Sequence, residues 1–157
     1  MTVPAAPVVI RLEPDAASAI ARAAEEAYPN EACGVLVGRI GENGWHVIQA
    51  VAGANVHPEP RHRFEVDPRL VFDWMRRLRG GPHALVGHFH SHPDGPAEPS
   101  ATDRESAYDR SAIWLIAAVP GGRLGALRAF RLGKGADPPF VEVPVEQPGC
   151  SGSAAGA

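Results

Sequence analysis

His90-Ser91-His92-Pro93, then Asp94-Gly95-Pro96-Ala97-Glu98-Pro99, then Ser100-Ala101-Thr102-Asp103: how this run is read decides the fold and the chemistry. Two histidines alternate, and alternation places residues i and i+2 on one face of a β-strand. Ser100 and Asp103 are three apart, so on a helix they share a face about one turn apart. The six residues from Asp94 to Pro99 are turn formers and suit neither strand nor helix interior. The local order is therefore strand, loop, helix start, with His90, His92 and Asp103 converging. Two imidazoles and a carboxylate leave a fourth tetrahedral position open, as catalytic zinc sites do and closed structural sites do not.

Working upstream, Ala84 to His90 is the strand that carries the pair. It follows a Gly80-Gly81-Pro82 break and a helix opened by Asp67-Pro68 and running to about Arg79. Leu70, Val71, Trp74 and Leu78 give that helix an apolar stripe. Arg76, Arg77 and Arg79 are read as its solvated side. Residues 53 to 66 are irregular. Ala32 to Arg39, apolar on both faces, is expected to be a central strand. Gly41 to Gly44 turns it into a return strand, Trp45 to Ala52. The Ala-rich run 16 to 27 is a helix entered through Pro14, and Val8 to Leu12 is a first strand. Glu31 sits alone between the helix end and the central strand.

Downstream, a helix is expected from Ser100 to about Arg110. Strands follow over Ala112–Val119 and Leu124–Leu132, and an edge strand over Phe140–Val145. The tail from Gln147 is small and polar and lacks the apolar surface to order itself. The expected architecture is one α/β domain over residues 1–146, a mixed β-sheet with packed helices, followed by a tail over 147–157.

Composition bounds the function. The chain has 157 residues, 45% hydrophobic and 21% charged, with 15 basic and 18 acidic residues and a net charge of −3. This is globular and gives no bulk attraction to nucleic acid or an anionic membrane. No apolar run approaches the roughly 20 residues of a spanning helix. Two cysteines make no disulfide framework, and the N-terminus does not read as a secretory signal, so a cytoplasmic setting is expected.

The complete pattern is His90-x-His92, seven residues, Ser100-x-x-Asp103, with Glu31 upstream in Glu31-Ala32-Cys33-Gly34-Val35-Leu36. It resembles the JAMM (MPN-plus, Mov34/PAD-1-like) metalloprotease family over roughly residues 8 to 132, and is most similar to its small stand-alone prokaryotic members. The resemblance implies the MPN fold and one Zn2+ per chain held by His90, His92 and Asp103. It also implies Glu31 as general base and Ser100 as a catalytic hydroxyl, a role compatible with capping the helix. The implied substrate is the amide bond after the C-terminal Gly-Gly of a ubiquitin-like protein, in a conjugate or a precursor. An alternative is release of cysteine from a ubiquitin-like sulfur carrier. A non-catalytic scaffold on the same fold is disfavoured, because those members lose the ligands and this chain keeps them. A zinc nucleobase deaminase is disfavoured too, because its Pro-Cys-x-x-Cys element is absent.

Among the other candidates, His88 shares the strand face with the pair but lies outside the family's ligand pattern. It is read as packing or supporting. Cys33 is read as a small buried strand residue. His46, His57, His62 and His83 carry no motif and are read as surface residues.

Overall fold

A computed structural model describes residues 8–106, 112–135 and 139–148. Its elements are β1 (Val9–Leu12), α1 (Pro14–Ala27), β2 (Cys33–Gly41), β3 (Gly44–Gly53), α2 (Pro68–Leu78) and β4 (Ala84–Pro93). They continue with α3 (Ala101–Ser106), β5 (Ile113–Val119), a 3-10 turn (Pro120–Gly122), β6 (Leu127–Leu132), β7 (Phe140–Val143) and β8 (Val145–Glu146). The fold is the mixed α/β domain that the pattern implies.

One eight-stranded sheet runs β7-β6-β5-β4-β2-β3-β1-β8. The hairpin β2–β3 is antiparallel, turning at Gly44, whose φ of 117° suits glycine. β4 pairs antiparallel with β2 over Ala84–His90 and parallel with β5 over Gly87–Pro93, so it is a central strand. α1 lies on one face. Its Ala16, Ile20 and Ala24 pack with Ile10, Leu36, Val47, Phe89, Leu115 and Val143 into the main core. Phe89 can lie against β2 only because position 34 is glycine. A Cβ there would come within 2.4 Å of the Phe89 ring and 2.2 Å of the Val51 carbonyl. Opposite, Trp114, Ile116 and Phe130 form a smaller cluster with Phe64 and Phe140 packed on it.

Four expectations change. The single edge strand over Phe140–Val145 is two strands. β7 pairs with β6 at one end of the sheet and β8 with β1 at the other, with Pro144 between and its carbonyl accepting from Ile10 N–H at 2.9 Å. Pro144 alone separates β7 from β8, so one short segment joins the two ends of the sheet. β4 runs on past His90 to Pro93. Proline at a strand end removes a donor that the ladder does not need, and Pro93 still pairs with Val119. α2 buries no residue fully: its stripe is half covered, while Phe72 and Met75 are 63% and 54% exposed. His46 is half-buried and meets Glu13 Oε1 at 2.7 Å. Helix α3 is described only to Ser106, and the part expected to reach Arg110 lies outside the described residues, as does the tail from residue 149.

Candidate metal centre and active site

Three ligand-type atoms meet at the C-terminal end of β4. His90 Nε2, His92 Nε2 and Asp103 Oδ2 stand 3.2 Å from one another on every side. Atoms held roughly 2.0–2.1 Å from one tetrahedral metal ion lie about 3.3 Å apart, so this triangle fits the face of such a coordination shell. The donor set fits as well: two imidazoles and a carboxylate, with His90 and Asp103 buried.

Each group is oriented by what surrounds it. His92 Nδ1 lies 2.8 Å from the Pro96 carbonyl, which can only accept. The proton is therefore on Nδ1, and Nε2 presents its lone pair to the centre. The His90 ring is held by aromatic packing, stacked on Phe64 with centroids 4.2 Å apart and set edge-on to Trp114. Its Nδ1 has no hydrogen-bond partner among the described residues.

Asp103 sits in the first turn of α3, and Ser100 directly precedes that helix. Ser100 N–H donates to Asp103 Oδ2 at 2.8 Å, while Asp103 N–H donates to Ser100 Oγ at 3.1 Å. This is a reciprocal cap. It occupies an acceptor site on the Ser100 hydroxyl and leaves its proton free to donate. Burial by itself would raise the Asp103 carboxyl. The bonds from His90, His92 and the Ser100 amide outweigh burial and hold it well below the usual carboxylate range. Asp103 is thus an anion in the metal-free protein.

Glu31 reaches the same place from the short connection between α1 and β2. Its carboxylate can join His90 and His92 with all three ligand-type atoms within 4.8 Å of one another. It is only 5% exposed, and Oε1 has no hydrogen-bond partner among the described residues. Burial pushes its carboxyl up to about 7, with His92 opposing and Asp103 assisting. The two carboxylates are therefore unlike: one stays ionised, while the other can take or give a proton near neutrality.

The remaining candidates separate cleanly. His88 packs edge-on against Trp114 at 4.2 Å, in the aromatic row that includes Phe64 and His90. Cys33 is buried, and burial with Glu31 nearby pushes its thiol up to about 12, which makes a reactive thiolate inaccessible. A groove of about 870 Å3 runs beside the centre, lined by Phe64, Val71, Phe72, His88 and Trp114 and reaching Asp103.

The chain matches the family described as prokaryotic homologs of the JAB domain over residues 13–133. It belongs to this family. A JAB-domain relative named desampylase, from Haloferax volcanii, is 38% identical over 98 residues, which is 62% of this chain and 68% of that protein. A probable TtuB-protein conjugate cleaving protease from Thermus thermophilus is 32% identical over 113 residues, covering 72% and 69%. A CD-NTase/cGAS isopeptidase from Vibrio cholerae is 32% identical over 96 residues, covering 55% and 60%. The same architecture occurs in a solution structure from Desulfitobacterium hafniense: TM-score 0.74, 29% identity, 88% of this chain and 94% of that one. A solution structure from Salinibacter ruber gives 0.63 and 30%, over 88% and 93%. JAB-domain relatives thus include enzymes named for cleaving protein conjugates.

Two features of the site carry no recognisable sequence pattern. Ser91, between the histidines, points to the opposite face, where its Oγ accepts from Ala32 N–H at 2.7 Å. Phe64 lies in the irregular stretch 53–66 and stacks on His90. Only its aromatic character in a Pro-rich loop hinted at an anchor.

Proposed function

We propose that this JAB-domain protein is a zinc-dependent peptidase that hydrolyses the amide bond following the C-terminal Gly-Gly of a ubiquitin-like protein. The observation that carries this is the 3.2 Å triangle of His90, His92 and Asp103 with a buried, proton-exchanging Glu31 beside it. In this reading His90, His92 and Asp103 hold one zinc ion, favoured by their spacing and by Asp103 remaining charged. Glu31 is the base, favoured by its looser approach and by a carboxyl near 7. When bound, zinc supplies a Lewis acid that polarises the scissile carbonyl and acidifies water to near neutrality.

The protein's groups do the rest. Glu31 accepts the proton of the attacking water and passes it to the leaving amine. The Ser100 hydroxyl, anchored by its cap with Asp103, donates to the carbonyl oxygen as negative charge develops there. The fixed Nδ1 proton of His92 keeps Nε2 facing the centre.

A Gly-Gly tail has no side chains, so it must be selected by backbone pairing and by a passage too narrow for a Cβ. From Gly87 to His90, β4 is paired on both edges and leaves no ladder for a further strand. The backbones of the loops 54–66 and 94–99 are therefore the elements available to pair with an extended tail. The exposed Ile40 and Phe72 that line the groove support a folded protein partner rather than a short peptide alone. The test is reconstitution: metal-free protein should leave a ubiquitin-like fusion intact, and one equivalent of zinc should restore cleavage. Cleavage at full rate without metal would remove the reading.

A further inference from the structure

We infer that Asn55 is a positioning residue for Glu31, setting the base from its backbone. This rests on the reading of Glu31 as base. The Glu31 side chain has little of its own to fix it, since Oε1 has no hydrogen-bond partner among the described residues. Its main chain, in contrast, is tied at three successive points. Glu31 N–H donates to the Pro60 carbonyl at 2.7 Å, the Glu31 carbonyl accepts from Asn55 Nδ2 at 3.1 Å, and Ala32 N–H donates to Ser91 Oγ at 2.7 Å.

Asn55 is the only one of these ties whose side chain also organises the loop. Its Nδ2 donates to the Arg63 carbonyl at 2.9 Å, and its Oδ1 accepts from His57 N–H at 3.1 Å and Glu65 N–H at 3.0 Å. Both protons and both lone pairs are then used by backbone groups, which is the full capacity of a primary amide. The opposite amide orientation would set oxygen against carbonyls and NH2 against N–H groups, so the network allows one orientation. Asn55 also forms a bridge with Val66. The loop so closed delivers two things to the centre: the Pro60 carbonyl that holds Glu31, and the Phe64 ring stacked on His90. A single amide thus sets the base against the histidines. A displacement of about 1 Å in a reacting group can cost 10²-fold.

The experiment is a double-mutant cycle on the zinc-loaded protein, using a ubiquitin-like protein ending in Gly-Gly fused to a short peptide. Amide hydrogen exchange is measured in parallel on the metal-free protein. Asn55→Ala should lower kcat about 10- to 100-fold with KM and zinc content unchanged. In the Glu31→Gln background the same change should cost less than about twofold. Exchange at Glu31 and Ala32 should quicken, while amides of β5 stay protected. Asn55→Asp keeps the acceptor oxygen but sets a charged oxygen against the Glu31 and Arg63 carbonyls, so it should lose at least as much kcat as Asn55→Ala. Wild-type turnover by Glu31→Gln alone removes the base and the inference with it. An equal Asn55→Ala loss in both backgrounds, unchanged exchange at Glu31 and Ala32, or full activity in Asn55→Asp overturns the positioning role and leaves the base standing.

Discussion

Ser100 and Asp103 hold each other at the start of α3, each backbone N–H donating to the other's side chain, at 2.8 and 3.1 Å. The residue proposed to donate to the developing oxyanion is therefore also the residue that orients a proposed ligand. Ser100→Ala should lower kcat about 10²- to 10³-fold through the lost donor. It should also cost about 1 kcal/mol of stability through the lost cap. Steady-state kinetics and thermal melts read the two effects separately. A variant that melts lower but turns over normally would leave Ser100 as a cap alone.

Removing one corner of the triangle should remove the metal. His92→Ala and Asp103→Ala should each purify with far less than the one zinc per chain expected of the wild type, measured by elemental analysis. Unchanged zinc in both variants would contradict the ligand assignment. Because bound ligands must be deprotonated, zinc uptake should weaken as pH falls.

Glu31 makes a stability prediction as well as a catalytic one. In the metal-free protein burial raises its carboxyl from an ordinary 4.5 to about 7. Between those values the folded state keeps a proton that the unfolded state has lost. The cost of the buried charge is therefore absent below pH 4.5, grows through the window and is complete above 7. Metal-free Glu31→Gln should equal wild type near pH 4 and exceed it by about 3 kcal/mol at pH 8. Denaturant melts at the two pH values measure this, and a difference that does not change with pH would contradict it. The same variant, loaded with zinc, should lose most of its turnover, since an amide cannot accept the proton.

Cys33 should be inert. With its thiol pushed up to about 12 and its side chain buried, iodoacetamide should label it only after unfolding. Labelling in the native state would contradict this.

What was legible in the sequence follows from which interactions are local. The His-x-His alternation, the Ser100–Asp103 spacing and the Ala-rich α1 are short-range patterns, and the structure reproduces them. Glu31 is not local to the others; the motif placed it, and the sheet brings it there through the pairing of Cys33 with His90. The split of the last strand at Pro144 was hidden, because strand pairing across opposite edges leaves no mark in a six-residue pattern. The extension of β4 to Pro93 was hidden by turn residues that follow it directly. Asn55 lies in the irregular stretch 53 to 66 and carries no motif, although Asn is a common organiser of turns. Its partners are carbonyls and amides that exist in that arrangement only once the fold has formed.

The most direct test of the central claim is the cleavage point. A ubiquitin-like protein ending in Gly-Gly, joined through that carboxyl to a lysine side chain or to cysteine, is incubated with the zinc-loaded protein, and the products are weighed by mass spectrometry. The account predicts one cut, directly after the second glycine. It also predicts that changing that glycine to valine slows the reaction far more than changing the leaving residue does. Cuts scattered through unrelated unfolded peptides, with no preference for Gly-Gly, would contradict it.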